Sequence, residues 1–252
     1  MRIFDTHCHF QSDILADTTK AISDAKYAGV LKLMNNSISF SDWIKVLIIS
    51  ENYTEVVPAL GIHPCFIDLS IESIKTELTL CDLSKYRAIG EIGLDKKKSS
   101  APIELQIKVF ELFLMLSLEL NIPCSVHCVS AVDELIFCLK KFKNHPPVII
   151  HSFSGSMELA RSLSKFRCLF SVGKNLNHNP GKKQTEMLKY IFPSLMMLES
   201  DFSASNTTEN MSQDIKPYCI KDYLNNVSEI LSIPAEEIAE KTYKLSAAVF
   251  GE

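Results

Sequence analysis

Eight apolar runs of strand length recur along this chain, and longer stretches of helical spacing separate them. The runs lie near Ile3 to His9, Val30 to Met34, Val56 to Ile62, Tyr86 to Ile92, Pro123 to Cys128, Val148 to His151, Cys168 to Val172 and Leu195 to Glu199. Strands alternating with amphipathic helices signal repeated βα units and a parallel sheet. Eight such units predict an α/β chain folded as a (β/α)₈ TIM barrel, with residues 1–252 forming one domain. A hydrophobic fraction of 46% over 252 residues is enough to fill such a core. Ser41, Ser70, Ser130 and Ser156 each precede a helical stretch and are read as N-caps. Between Ile103 and Leu120, the residues Val109, Leu112, Phe113, Leu116 and Leu120 recur at helical spacing, a packing face for the barrel. Pro234 suits the first turn of a closing helix that runs to Phe250. Trp43, the single tryptophan, falls in a helical segment and is assigned to packing.

Charge and cysteine usage narrow the function. A net charge of −4 and a pI near 6.0 argue against a constitutive nucleic-acid coat protein, which needs a basic face, but leave transient binding of a polyanion open. None of the eight cysteines forms a C-x-x-C pair, and Cys8, Cys124 and Cys128 lie in apolar runs. They read as reduced thiols of a cytoplasmic protein. Met1 to Asp5 carries no apolar leader, and Lys108, Glu111 and Glu119 interrupt the most apolar helix, so neither a signal peptide nor a membrane span is expected.

Active sites of such barrels lie at the carboxyl ends of the strands. Metal-ligand side chains gather there: His7 and His9 at the end of the first run, Glu91 of the fourth, His127 of the fifth, His151 of the sixth and Asp201 after the eighth. Four of the chain's seven histidines are in this set. Residues two apart on a strand share a face, so His7 and His9 can hold one ion. Imidazole and carboxylate suit zinc, manganese or magnesium, and one carboxylate can bridge two such ions. The expected centre holds two divalent ions, with His7, His9 and Asp201 on one, His127 and His151 on the other, and Glu91 between them. A water on such ions is acidified toward a pKa of about 7. Asp201 is the candidate to orient that water or take its proton, so Asp201 and Glu91 are the expected catalytic pair.

Several motifs appear in order over nearly the whole chain: Asp5-Thr6-His7-Cys8-His9, Gly61-Ile62-His63-Pro64, Gly90-Glu91-Ile92-Gly93-Leu94-Asp95 and His151-Ser152-Phe153-Ser154-Gly155. In these it resembles the TatD-type metal-dependent deoxyribonucleases, within the amidohydrolase-like barrels. The resemblance implies two divalent ions held by the six residues above, hydrolysis of phosphodiesters in DNA, and contact of His63 with the substrate phosphate. The chain also departs from the pattern. His127-Cys128-Val129 stands where the family has His-x-Arg, so Val129 replaces a cation. The run Glu199-Ser200-Asp201-Phe202-Ser203-Ala204-Ser205-Asn206 differs from the family's last loop. Lys96, Lys97 and Lys98 follow Asp95, and they offer replacement phosphate contacts that Lys174, Lys182 and Lys183 can join; a lysine run on a loop is otherwise a solvated face. Gly155 and Ser156 open a helix suited to an anion or simply to a cap. Phe153 and Phe202 either stack a base at the mouth or pack against loops.

Three functions follow. The first is a metal-dependent deoxyribonuclease acting on single strands or strand ends. The second is a hydrolase of a small ester, amide or phosphoester that uses the same centre. The third is a catalytically silent metal-binding barrel, which has no chemical need for all six donors. Oligomeric state is not legible in the sequence.

Overall fold

The computed structural model describes residues 1–11, 18–142, 144–176, 180–203 and 217–251. Its strands are β1 (Ile3–His9), β2 (Val30–Asn36), β3 (Val56–Leu60), β4 (Ala88–Asp95), β5 (Cys124–Val129), β6 (Val148–Ile150), β7 (Cys168–Val172) and β8 (Met196–Leu198). Each pairs in parallel with the next, and β1 pairs with both β2 and β8, which closes an eight-stranded barrel. A two-residue strand, β9 (Phe202–Ser203), lies beside Cys8 and His9 and extends the β1 edge beyond β8. No apolar run announces it in the sequence.

The helices are α1 (Thr18–Tyr27), α2 (Trp43–Asn52), α3 (Ile71–Leu80), α4 (Ile103–Leu120), α5 (Val132–Lys141), α6 (Met157–Ser164), α7 (Lys182–Ile191), α8 (Ile220–Leu231) and α9 (Ala235–Phe250). Ser70 and Ser156 cap as expected, accepting from Ser73 N–H at 3.1 Å and Leu159 N–H at 3.3 Å. Ser41 and Ser130 do not. A cap residue needs extended backbone, but Ser130 has φ +55° and Ala131 takes the cap position of α5. Ser41 lies inside a 3₁₀ turn, Phe40–Asp42, with its hydroxyl against that of Ser39. Val109, Phe113 and Leu116 of α4 are buried against the barrel, and Trp43 is buried with its indole N–H donating to Gly61 C=O at 2.9 Å. All eight cysteines are free thiols. Among the described residues, no helix is long and apolar enough to cross a membrane.

Inside the barrel, Phe4, Met34, Val57, Ala88, Ile149, Leu169 and Met197 form an apolar layer near the strands' amino ends. Phe250 of α9 plugs this layer, its ring 5.4 Å from that of Phe4. Strict alternation starting from inward Phe4 would point His7 and His9 outward, three and five residues on. A register shift between Asp5 and Cys8 resets the phase, so Cys8 joins the outer core and both histidines face inward. The same device acts in β4. Ala88 faces inward and Ile89 outward, and a register shift between Ile89 and Ile92 then turns Glu91 inward. Such irregularities re-aim side chains beside sites. At Gly93, φ is +147° and a Cβ would stand 2.0 Å from the His127 carbonyl oxygen, so β4 and β5 approach closely only because that residue is glycine.

Candidate metal centre

Five of the six expected donors sit as predicted or nearly so, within or just past their strands. Glu91 is the exception, lying mid-strand because β4 continues to Asp95. His151 follows β6 directly, whereas Asp201 stands beyond β8 in the left-handed region at φ +47°.

The Glu91 carboxylate divides its two oxygens between two histidine pairs. Oε2 lies 3.3 Å from His7 Nε2 and 3.4 Å from His9 Nε2. Oε1 lies 2.9 Å from His151 Nε2 and 3.1 Å from His127 Nδ1. Within each pair the facing nitrogens are 3.1 Å apart. Asp201 Oδ1 lies 3.9 Å from His9 Nε2 and closes the first group, and its Oδ2 pairs with Lys174 Nζ. Lys174, expected only as one of several loop lysines, is therefore the one whose ammonium touches the cluster among the lysine contacts described.

Outer partners fix which nitrogen of each ring faces inward. His9 Nδ1 lies 2.8 Å from Asn36 C=O, which can only accept, so this nitrogen carries the hydrogen and Nε2 keeps its lone pair. His7 Nδ1 meets Ser125 Oγ at 2.8 Å. His127 is turned the other way: Nε2–H donates to Asp95 Oδ2 at 3.0 Å, which leaves Nδ1 open toward Glu91. His151 Nδ1 lies 3.8 Å from Glu199 Oε1, and neither buried atom has a hydrogen-bond partner. Glu199 is held through its other oxygen by Ser171 Oγ. An imidazole ligand is held in this manner by an acceptor on its outer nitrogen. His7, His9 and Asp201, and likewise His7, Glu91 and His151, bring their ligand atoms within 4.8 Å of one another, a donor set that fits a divalent cation.

His63 stands slightly farther off, with Nε2 3.5 Å from Glu91 Oε1, and its tautomer differs. Its Nδ1 accepts from Cys65 N–H at 3.1 Å, so in the neutral ring the hydrogen is on Nε2 and points into the site. A ring that presents N–H is a donor to a substrate oxygen rather than a ligand to a cation.

Burial lowers His7, helped by the neighbouring His151, and brings His63 down to about 4. At His9 and His151 burial is outweighed, by Glu91 and Asp201 in the first and by Glu91 and Glu199 in the second, and both are raised. Burial opposes ionisation of Glu91 as well, yet His63, His151 and His7 hold its carboxyl well below the usual range. Asp201 is lowered likewise, against burial, by His151 and Lys174.

The remaining expected contacts divide. Lys96 is committed to Glu134, whereas the side chains of Lys97 and Lys98 are exposed; their backbone N–H groups donate to Asp95 Oδ1 at 2.7 and 2.8 Å. Lys182 is exposed on α7, 3.8 Å from Glu186, and Lys183 is exposed beside it. Phe153 and Phe202 do not line the mouth as open rings. Each is 6% exposed, packed at 4.5 Å on Phe170 and 5.4 Å on Phe10 respectively. Gly155 packs under the Phe153 ring and Ser156 is a helix cap. Val129 is half-buried at the end of β5. Ala204, Ser205 and Asn206 lie outside the described residues. Asp95, Glu199 and Ser125 were not expected as site residues, although the first two stand inside quoted motifs; a buried acid next to a candidate ligand was the available signal.

Known proteins resemble the chain along most of its length. The chain is 27% identical over 252 residues to the uncharacterized metal-dependent hydrolase YabD of Bacillus subtilis, covering 98% of both chains. It is 29% identical over 201 residues to the 3'-5' RNA nuclease TATDN2 of Homo sapiens, covering 74% of this chain and 26% of that one. The crystal structure of YjjV, a TatD homolog from Escherichia coli, superposes with a TM-score of 0.87 at 24% identity over 100% of this chain and 98% of that one, which shows the shared barrel. The family model for TatD related DNase matches residues 4–251, a span that runs from the first barrel strand through the closing helix and contains every inward donor of the centre, and the chain belongs to that family.

Proposed function

We propose that this protein is a divalent-metal-dependent hydrolase that cleaves phosphodiester bonds of DNA, working on single strands or strand ends. The observation that carries the reading is the Glu91 carboxylate, with one oxygen turned to His7 and His9 and the other to His127 and His151. His7, His9 and Asp201 would hold one ion, His127 and His151 the second, and Glu91 both. When bound, such ions supply Lewis acidity to a phosphoryl oxygen and make water a nucleophile near neutral pH.

The chain's own groups do the rest. Asp201 keeps Oδ1 toward His9 and Oδ2 toward Lys174, so its second oxygen is the one available to orient a water or accept its proton once the lysine turns to substrate. His63 donates from Nε2 to a phosphate oxygen. Lys174 offers a charge-assisted contact to the same anion, which offsets the absence of arginine at Val129. Lys97 serves more distant phosphates, and Lys96 does so only by leaving Glu134. The completeness of the donor set, outer partners included, argues against a silent barrel.

Metal-reconstituted protein incubated with single-stranded DNA, duplex DNA, RNA and a small phosphodiester tests the reading. Cleavage of the single-stranded DNA above the others is expected. Turnover of the small phosphodiester with no cleavage of any polynucleotide would replace this reading with the hydrolase of a small ester, amide or phosphoester.

A further inference from the structure

Phe66 ends the 3₁₀ turn Pro64–Phe66 that follows β3, and its side chain is 47% exposed. Single exposed apolar side chains are ordinary. This one differs in what holds it and what lies beside it. Phe66 N–H donates to His63 C=O at 2.8 Å, and His63 N–H donates to Ile38 C=O at 2.9 Å in the loop after β2. Ser99 Oγ, in the loop after β4, donates to Pro64 C=O at 2.7 Å. Loops on both sides therefore brace the turn. The Phe66 ring meets the His63 ring edge-on at 5.9 Å, and the His63 ring stands 4.3 Å from that of His127. An aromatic ring anchored along one edge thus lies one side chain away from the metal cluster. The loop tied to it by Ser99 carries the exposed Lys97 and Lys98.

A fixed aromatic ring with cationic side chains next to it is the combination that binds single-stranded nucleic acid without regard to sequence, the ring stacking a base and the cations following the backbone. The two rings expected for that role, Phe153 and Phe202, are buried. We propose that Phe66 is the stacking platform for the nucleobase next to the scissile phosphodiester, so that the preferred substrate is a single-stranded polynucleotide and not a small phosphoester. The inference rests on the phosphodiesterase reading above. A duplex would have to unstack a base to offer a free face, at a cost that disfavours it.

The test uses metal-reconstituted wild-type protein, Phe66→Ala and Phe66→Trp with two single-stranded DNA oligonucleotides. One carries 2-aminopurine beside the cleaved linkage, and its counterpart has an abasic residue there. Stacking in the wild type should quench the 2-aminopurine and make the intact strand bind more tightly than the abasic one. Base–aromatic stacking contributes about 1–3 kcal/mol, so Phe66→Ala should weaken binding of the intact strand about 5- to 150-fold. The abasic strand should bind that variant as it binds the wild type, Phe66→Trp should retain the preference, and metal content should be unchanged in all three. Equal affinity of the wild type for both strands, or equal weakening of both in Phe66→Ala, would overturn the platform. Quenched, base-dependent binding without cleavage would sink the phosphodiesterase reading and with it the placement beside a scissile linkage, whereas cleavage with equal affinity for both strands would sink the platform alone.

Discussion

At His9 and His127 an outward acceptor decides which ring nitrogen turns inward. Asp95 makes this plain for His127, the ring that turns Nδ1 rather than Nε2 to Glu91. Removal of an outer partner typically costs about 10- to 100-fold in metal affinity. Asp95→Ala should therefore weaken retention of one ion by about that factor, read by titration against a chelator. Unchanged affinity would mean that His127 is oriented by packing alone. Asp201→Asn should keep most metal yet lose at least about a hundredfold in turnover, the lower end of what a positioned proton acceptor contributes. Near-normal turnover would remove Asp201 from the chemistry. The six inward donors were legible in the sequence because strand ends and residue types name them. The tautomers were not: they depend on Asn36, Ser125, Asp95 and Glu199, which approach from other strands. The lysine loop misleads for a related reason, since spacing cannot reveal that Glu134 has claimed Lys96.

At the scale of the element, apolar runs located the strands closely. β1 and β7 match their runs end to end, and α4 spans Ile103–Leu120 as its spacing predicts. Hidden in the pattern were the phase resets in β1 and β4. Polar and apolar residues do not alternate cleanly in either run, so the sequence does not mark a slip of alternation, yet it turns His7, His9 and Glu91 inward. Gly93 permits the approach of β5 to β4 that follows. Gly93→Ala would put a methyl 2.0 Å from the His127 carbonyl at a φ of +147°. It should cost about 3 kcal/mol or more, from backbone strain and overpacking together. Denaturant unfolding measures that loss, and metal content should fall with it because His127 shifts. A variant as stable as the wild type would show that β4 relaxes freely. Ser130 and Ser41 mark a second limit: a serine before a helix reads as a cap, and only the backbone angle tells whether it is one.

For the whole molecule, closure of the barrel brings residues from both ends of the chain into one buried cluster of ionisable groups. Without ions, burial lowers both rings, but Glu91 and Glu199 outweigh it at His151 and Glu91 and Asp201 at His9, so both are raised. A divalent ion needs the unprotonated ring, so loading at neutral pH must release protons. Because both rings are raised, metal affinity should fall as pH falls and recover as pH rises. Proton release on metal addition in weak buffer, together with affinities measured between about pH 6 and 8, checks this. Affinity independent of pH across that window would show the rings already neutral.

The central claim is that Glu91 joins two histidine pairs through two ions, and metal stoichiometry after reconstitution measures it directly. The wild type should saturate at two divalent ions per chain. Glu91→Gln should retain one at most, because an amide bridges cations poorly. A wild-type chain that saturates at a single ion, or a Glu91→Gln chain that still holds two, would contradict the account.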